Sequence, residues 1–451
     1  MTIMRSAIRY WGRKAGTAVG GLRSMLLSLL KDGGLILDPF AGAGSIGKRL
    51  LSWGYKVVML DVNFYAWLIS RVLVGRVRKP AGTFWGGLEN VKLRIIRYGR
   101  VERIPWRELF SVKCRGTRSL ILRRECDEDE HRCIAYTVSG CSVEMEYDDP
   151  IDEVLDPYPR LPLRYPDGTD FDKRRNVQHV HELYSPLMLA GMASIAGFLR
   201  KRGYSIKRGP VGSLLWLSLA AIAYNASRMA RRGAGAWAIN SYWVPRRHAE
   251  YNPFLRFRSR VMRIVGESLG ARAVYTGRSA YRLRWLDYDA AILWADASRV
   301  SKMFPREYFD ALITDPPHFD EIQYYELSFL HLAWLLDTLS SEDRERALNA
   351  YRYEIVVNPR RGLGINEYLR KLHDAFKSIA LVLRRGAPVA IFLHEEQQHK
   401  LRLLIDAIES AGYKFIVEET INMPVKPIGN RDRNGRDNIA IVLIGRRELT
   451  L

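Results

Sequence analysis

The stretch Thr314-Asp315-Pro316-Pro317-His318-Phe319-Asp320 follows directly on a short apolar run, Ala311 to Thr314. A carboxylate at a strand tip followed by two prolines suits one kind of chemistry, the handling of a planar amine. The nitrogen of an exocyclic base amine is a poor nucleophile because its lone pair is delocalised into the ring. Asp315 can accept one of its N–H groups and the Pro316 carbonyl the other. Together they favour a pyramidal nitrogen and aim its lone pair at a methyl sulfonium. Pro316 and Pro317 fix the loop and keep that carbonyl out of a ladder bond. His318, next in line, is placed to stack on an extruded base and can ionise near neutral pH.

A second constellation lies far upstream, in GGLILDPFAGAGSIGKRLLSWGYKVVMLDVN from Gly33 to Asn63. An apolar run ends in Asp38, a turn rich in glycine follows at Gly42, Gly44 and Gly47, and a second apolar run, Val57 to Leu60, ends in Asp61. Glycines after a first strand let a ligand approach the backbone and expose helix N-terminal amides. An acid closing the second strand can accept both hydroxyls of a ribose. Gly42-Ala43-Gly44-Ser45-Ile46-Gly47 also fits the spacing of a dinucleotide loop, so nicotinamide binding has to be weighed. A hydride-transfer enzyme has no use for Asp315-Pro316-Pro317, which disfavours that reading.

The elements that must position these residues read as strand, glycine turn, helix, strand, acid: the opening half of a doubly wound α/β sheet. The alternation resumes in the last third. Strands are expected at Ala291 to Ala295 (ending at Asp296), Ala311 to Thr314 and Pro388 to Leu393, and helices at Leu327 to Leu335, Tyr368 to Leu383 and Lys400 to Ala411. Phe415 to Glu418 and Ile439 to Ile444 would form an antiparallel pair. The expected fold is a Rossmann-like, doubly wound α/β sheet, mainly parallel with a reversed edge strand, interrupted by a long insertion. Residues 1–75 and 287–451 would form the two parts of the sheet domain, and 76–286 the insertion, a candidate target-recognition region. Within it, 80–150 reads as a small β insert and 150–170, rich in Pro and Asp, as a linker. Leu183 to Leu199 and Val211 to Met229 read as buried helices.

The 451 residues carry 70 Lys and Arg against 49 Asp and Glu, a formal charge of +21. That balance points to a polyanion, with nucleic acid the usual one because each neutralised phosphate releases a counterion. At 47% hydrophobic and 26% charged, the composition excludes wholesale disorder and fibrous repeats. No uncharged apolar run reaches the roughly 18 residues that span a bilayer, and the N-terminus lacks the apolar core of a signal peptide, so a cytoplasmic protein without a membrane partner is expected. Cys114, Cys126, Cys133 and Cys141 are spaced without a C-x2-C knuckle, leaving a zinc ribbon, disulfides and inert thiols all open. His179, His181 and His248 are scattered, and no metal site is read from them. Asn422 to Asn438 reads as a basic loop that would either grip phosphates or be simply solvated. Arg256, Arg258 and Arg260 would share a face on a strand and scatter on a helix.

DPFAGAG together with DPPH resembles the S-adenosylmethionine-dependent amino-methyltransferases of nucleic acids, and more closely the adenine-specific DNA methylases that carry a zinc-ribbon insert. Tyr10-Trp11-Gly12-Arg13-Lys14, Asp61-Val62-Asn63, Glu182-Leu183-Tyr184-Ser185-Pro186, Glu250-Tyr251-Asn252-Pro253-Phe254 and the stretch from Asp315 to Trp334 resemble further segments of that family in the same order. The resemblance implies S-adenosyl-L-methionine as cofactor. Tyr10, Trp11 and Arg13 would close over its methionine end, Gly42 and Gly44 would contact the methionine part, Asp61 the ribose and Asp296 the adenine. Asp38, Pro39, Phe40 and Asn63 complete the implied cofactor set, and Asp315, Pro316, Pro317 and His318 the implied catalytic set. His318 stands where the family usually has Tyr, and the ribbon's paired cysteines are missing. The implied substrate is adenine, or cytosine, in DNA. Ribosomal or transfer RNA is the second choice, and a non-catalytic nucleic-acid-binding scaffold a remote one. Oligomeric state is not read from the sequence.

Overall fold

A computed structural model describes residues 23–147, 149–172, 175–207, 209–230, 242–276, 288–319, 322–393, 397–423 and 438–448. The chain divides into two compact units. One comprises Tyr10–Arg76, Ser268–Tyr325 and Ala347–Leu451, the other Met1–Arg9, Val77–Glu267 and Glu326–Arg346.

The first unit is mixed α/β and built on an eight-stranded sheet. Its strands are β1 (Leu35–Asp38), β2 (Lys56–Asp61), β3 (Ala273–Thr276), β4 (Ala290–Trp294), β5 (Ala311–Thr314), β6 (Pro388–Leu393), β7 (Tyr413–Met423) and β8 (Asn438–Arg447). They lie in the order β3-β4-β2-β1-β5-β6-β8-β7. Strands β3 to β6 in that spatial row all pair in parallel, whereas β8 is antiparallel to both β6 and β7. Near-continuous apolar runs such as Ala-Ala-Ile-Leu-Trp in β4, buried at every position, are what a parallel sheet covered on both faces requires.

Two expectations are corrected here. The reversed strand is not at the edge: β8 lies between β6 and β7, and its Val442, Leu443 and Ile444 are buried as an interior strand demands. Strand β3 belongs to the sheet although it falls within the expected 76–286 insertion, because a four-residue strand carries too little periodicity to show in sequence.

Helix α1 (Ser45–Ser52) follows the glycine turn, and α2 (Phe64–Val74) is capped by the Asn63 Oδ1, which accepts from the Tyr65 and Ala66 amides at 3.0 and 3.3 Å. Gly47 lets α1 approach β2. A Cβ there would lie 2.2 Å from the Met59 sulfur, and Met59 is fully buried. Gly47→Ala is therefore expected to destabilise the protein by about 1–3 kcal/mol through overpacking, seen as a lowered urea midpoint. Helices Ile365–Val382 and Gln398–Glu409 bury Phe376, Ile379, Leu404 and Ile408 in the core shared with β1, β2, β5 and β6.

The second unit holds two antiparallel sheets and buried helices. Strands Arg247–Tyr251, Thr117–Asp127, Arg132–Thr137 and Ser142–Glu146 are neighbours in that order, with Ser111–Cys114 also pairing Thr117–Asp127. Lys92–Arg97 pairs Arg100–Pro105 on one side and Glu153–Val154 on the other. The two long apolar segments form helices Pro186–Lys201 and Pro210–Ala226, each opening on a proline whose missing N–H costs nothing in a first turn. The cysteines pair as Cys114–Cys141 and Cys126–Cys133. Residues 150–170 are not a linker: Asp156 accepts the Ser194 hydroxyl at 3.0 Å, and Leu163 and Tyr165 are fully buried. Pro and Asp break regular structure there without preventing the apolar residues between them from packing. Arg256, Arg258 and Arg260 sit on helix Pro253–Glu267 and so scatter around it. Among the described residues no helix is long and apolar enough to cross a membrane.

Candidate active site

In the parallel part of the sheet, β1 is the strand at which the order reverses: β2 lies on one side and β5 on the other. Ligands of open α/β sheets bind outside the carboxyl ends of strands at such a switch point. A cleft lies there, with an empty volume of about 880 Å³ including its open mouth. Four strand ends supply its wall: Pro39, Phe40 and Gly42 after β1, Asp61 and Asn63 at β2, Asp296 after β4, and Asp315 and Pro317 after β5.

The glycine turn is tied to the second strand by one carboxylate. Asp61 Oδ2 accepts the Gly42 amide at 2.9 Å and Oδ1 the Asn63 amide at 2.8 Å, while the Ser70 hydroxyl donates to the Gly42 carbonyl at 2.7 Å. Gly42 and Gly44 hold φ of 51° and 71°, a left-handed conformation that glycine adopts without a Cβ penalty. Burial pushes the Asp61 carboxyl up to about 6 against the opposing pull of its two amide donors. Asp296 is fixed by the Ser298 amide and hydroxyl, at 2.9 and 2.7 Å.

Asp315 faces the same cleft, and its Oδ1 lies 3.1 Å from the His318 Nε2. The loop beyond is braced from below: the Tyr368 hydroxyl donates to the Pro317 carbonyl at 2.7 Å, and Phe319 stacks on Tyr368 with ring centroids 4.7 Å apart.

Asp38, Gly44, Pro316 and His318 do not line the cleft. Asp38 is wholly buried behind it, where its Oδ1 accepts the Thr314 hydroxyl at 2.8 Å. It thereby joins β1 to β5. His318 is buried with its Nε2 turned to Asp315, not set in the cleft as a ring for a base would be. Tyr324, Tyr325, Tyr353 and Glu354 complete the cleft, and the sequence singles out none of them. Tyr324 and Tyr325 fall within the Asp315 to Trp334 stretch, where the run of aromatics is the available signal. Tyr353 has none. Tyr10, Trp11 and Arg13 lie outside the described residues, as do Asp320 and most of the basic loop between Asn422 and Asn438.

The motif residues further upstream do other work, in the second unit. Glu250 pairs with the buried Arg124 at 2.6 Å, and Arg124 also donates to Ser185 at 3.0 Å and to Asp149. Asn252 caps the helix that begins at Pro253.

Burial pushes the Asp38 carboxyl up to about 7, opposed by the Thr314 hydroxyl and reinforced by the charges of Asp315 and Asp61. The folded state therefore binds more protons than the unfolded chain between about pH 4 and 7. This contribution to stability is complete below pH 4 and lost as pH rises through 7. Asp38→Asn keeps an acceptor for Thr314 and removes the titration. Relative to the wild type, its stability should rise by on the order of 4 kcal/mol between pH 4 and pH 8, measured by denaturant unfolding across that range.

No protein-family model and no curated protein matches the chain. Among solved structures it is similar to the "Putative DNA Modification Methylase" of Thermus thermophilus complexed with S-adenosyl-L-methionine, at 12% identity and a TM-score of 0.21, over 40% of this chain and 57% of that one. It is also similar to TrmN of Thermus thermophilus (13%, TM-score 0.20, 42% and 34%) and to a SAM-dependent methyltransferase of Methanosarcina mazei (11%, TM-score 0.20, 43% and 79%). The match spans little more than half the length of the first of these. Superpositions this loose assign neither fold nor function, which rest on the geometry of the cleft.

Proposed function

We propose that this chain is a Rossmann-like methyltransferase that moves a methyl group from S-adenosylmethionine to the exocyclic amine of a nucleic-acid base, adenine or cytosine in DNA. The observation that carries this reading is the meeting, in one cleft, of the Gly42–Asp61 wall and the Asp315–Pro317 loop, 254 residues apart at Asp61 and Asp315.

The donor set fits the cofactor. Asp61 presents a carboxylate at the end of the second strand, with lone pairs beyond those given to Gly42 and Asn63, for the two ribose hydroxyls. Gly42 lets the methionine part approach the backbone, and Asp296 stands one strand further along for the adenine amine. When bound, S-adenosylmethionine supplies an electrophilic methyl on a sulfonium. Asp315 accepts an N–H of the target amine and stabilises the positive charge that grows on the nitrogen as it attacks. His318 turns the Asp315 carboxylate toward its task through Oδ1. Tyr324 and Tyr353 offer rings for the extruded base, in place of the expected His318. The formal charge of +21 favours a polyanionic substrate.

Incubation of the purified protein with cofactor labelled in its methyl group and, separately, duplex DNA, ribosomal RNA and transfer RNA tests the reading. Label is expected in DNA, as N6-methyladenine or N4-methylcytosine after digestion. Label in RNA alone would move the substrate to RNA, and failure to bind the cofactor by calorimetry would end the methyltransferase reading.

A further inference from the structure

In the second unit, three residues form a row across three neighbouring strands. Cys126 is in direct register with Cys133 on one side and with His248 on the other. Directly opposed residues share a face of the sheet, and Glu250, two residues beyond His248, shares it too. The Cys126 sulfur, an imidazole nitrogen of His248 and a carboxylate oxygen of Glu250 all lie within 4.8 Å of one another. All four side chains are buried.

Two of these groups have an unanswered polar atom. The His248 Nδ1 lies 3.1 Å from the Pro245 carbonyl, so Nδ1 carries the proton and Nε2 has a lone pair, yet Nε2 is buried without a hydrogen-bond partner. That is the tautomer, with the backbone orienter, that a metal-ligating histidine uses. In Glu250, Oε2 is taken by Arg124 and Oε1 is buried without a partner. Burying such atoms unpaired costs roughly 1–3 kcal/mol each, a cost that a cation between them would remove.

We propose that Cys126, Cys133, His248 and Glu250 form a binding site for zinc or a similar divalent transition metal, opened by reduction of the Cys126–Cys133 disulfide. A dithiol delivers two electrons and two protons to the disulfide and is itself oxidised to a cyclic disulfide. The two thiols formed then lose their protons to water as the metal binds both sulfurs. Two thiolates, one imidazole and one carboxylate suit tetrahedral zinc. Ligand atoms around zinc are roughly 3.3–3.8 Å apart for bonds of 2.0–2.3 Å. The Cys126, His248 and Glu250 ligand atoms, within 4.8 Å of one another, have to close by roughly 1–1.5 Å, and the Cys133 sulfur, outside that group and bonded to the Cys126 sulfur, has to swing in once the disulfide is broken. A surface groove that reaches Cys126 and His248 would be a cation's way in, past Asp127 and Glu130, which Arg247 and Arg132 in the same wall now pair with. The Cys114–Cys141 pair lacks a neighbouring imidazole or carboxylate in any such group among the described residues and remains structural.

The full chain is reduced with a dithiol, desalted without air and titrated with Co²⁺. One equivalent should bind, with tetrahedral visible bands and near-ultraviolet thiolate charge transfer, while the oxidised chain shows neither. Bound metal should protect Cys126 and Cys133, and not Cys114 and Cys141, from alkylation mapped by mass spectrometry. This mapping needs no variant and so stands even where substitutions unfold the sheet. His248→Gln should weaken binding by at least about tenfold and shift the visible bands, whereas a Cys114→Ser, Cys141→Ser double variant should keep both. Absence of charge transfer in the reduced chain, or protection of Cys114 and Cys141 instead, overturns the proposal.

Discussion

Asp315→Asn should lower the rate of methyl transfer by roughly 10²–10³-fold while leaving affinity for S-adenosylmethionine close to that of the wild type. The substitution conserves shape, so the His318 contact at 3.1 Å and the Tyr368-braced loop have no steric reason to move. What it removes is the negative charge that faces the amine as its nitrogen becomes cationic. A loss confined to the transition state lowers kcat and kcat/KM together, which single-turnover transfer of labelled methyl measures directly. Calorimetric titration supplies the other half of the test. If Asp315→Asn transferred methyl at a rate near the wild type, the amine would be held by other residues and the proposed mechanism would fail. The same substitution should bring the Asp38 carboxyl down from about 7, since the Asp315 charge is one of the influences that raise it after burial itself.

Asp61→Ala should have the complementary effect. It deletes the acceptor of two backbone amides, Gly42 at 2.9 Å and Asn63 at 2.8 Å, as well as the carboxylate proposed for the ribose. Hydrogen bonds to a charged group are worth about 1.5–3 kcal/mol each, and losing the turn's preorganisation adds to losing the ligand contact. The dissociation constant for the cofactor should rise by at least about 100-fold, or about 2.7 kcal/mol. In the wild type, affinity should weaken as pH falls through about 6, because the raised Asp61 carboxyl then takes up a proton and can accept fewer hydroxyls. Calorimetry between pH 5 and pH 8 measures both effects. An Asp61→Ala protein that bound the cofactor normally would separate the turn from cofactor recognition.

On the proposed reading, the two predictions divide the cleft between a residue that binds the cofactor and a residue that faces the amine. Asp38 belongs to neither group. Its place at the head of the glycine turn suggests a cofactor contact, but it is wholly buried and turned to Thr314, where it ties β1 to β5. His318 shifts in the same way, from a ring for the base to a partner for Asp315. In both cases the residue type is informative and the direction of its side chain is not, because direction depends on strand register.

The sequence by itself determined the local arrangements. Continuous apolar runs ending in Asp38, Asp61 and Thr314 specify buried parallel strands, and glycines at 42, 44 and 47 specify a tight turn closely packed on β2. These follow from hydrophobic periodicity and backbone sterics, which act between residues near in the chain. Only the tertiary structure decided what those rules cannot reach. It set β8 inside β7, drew β3 into the sheet, turned Asp38 and His318 inward, brought Tyr353 into the cleft, and laid Cys133, Cys126 and His248 in one row. Most of these are pairings across many residues, chosen by how whole faces bury against each other, and even the near ones, His318 with Asp315 and Cys126 with Cys133, depend on a loop or strand register that a short window does not set.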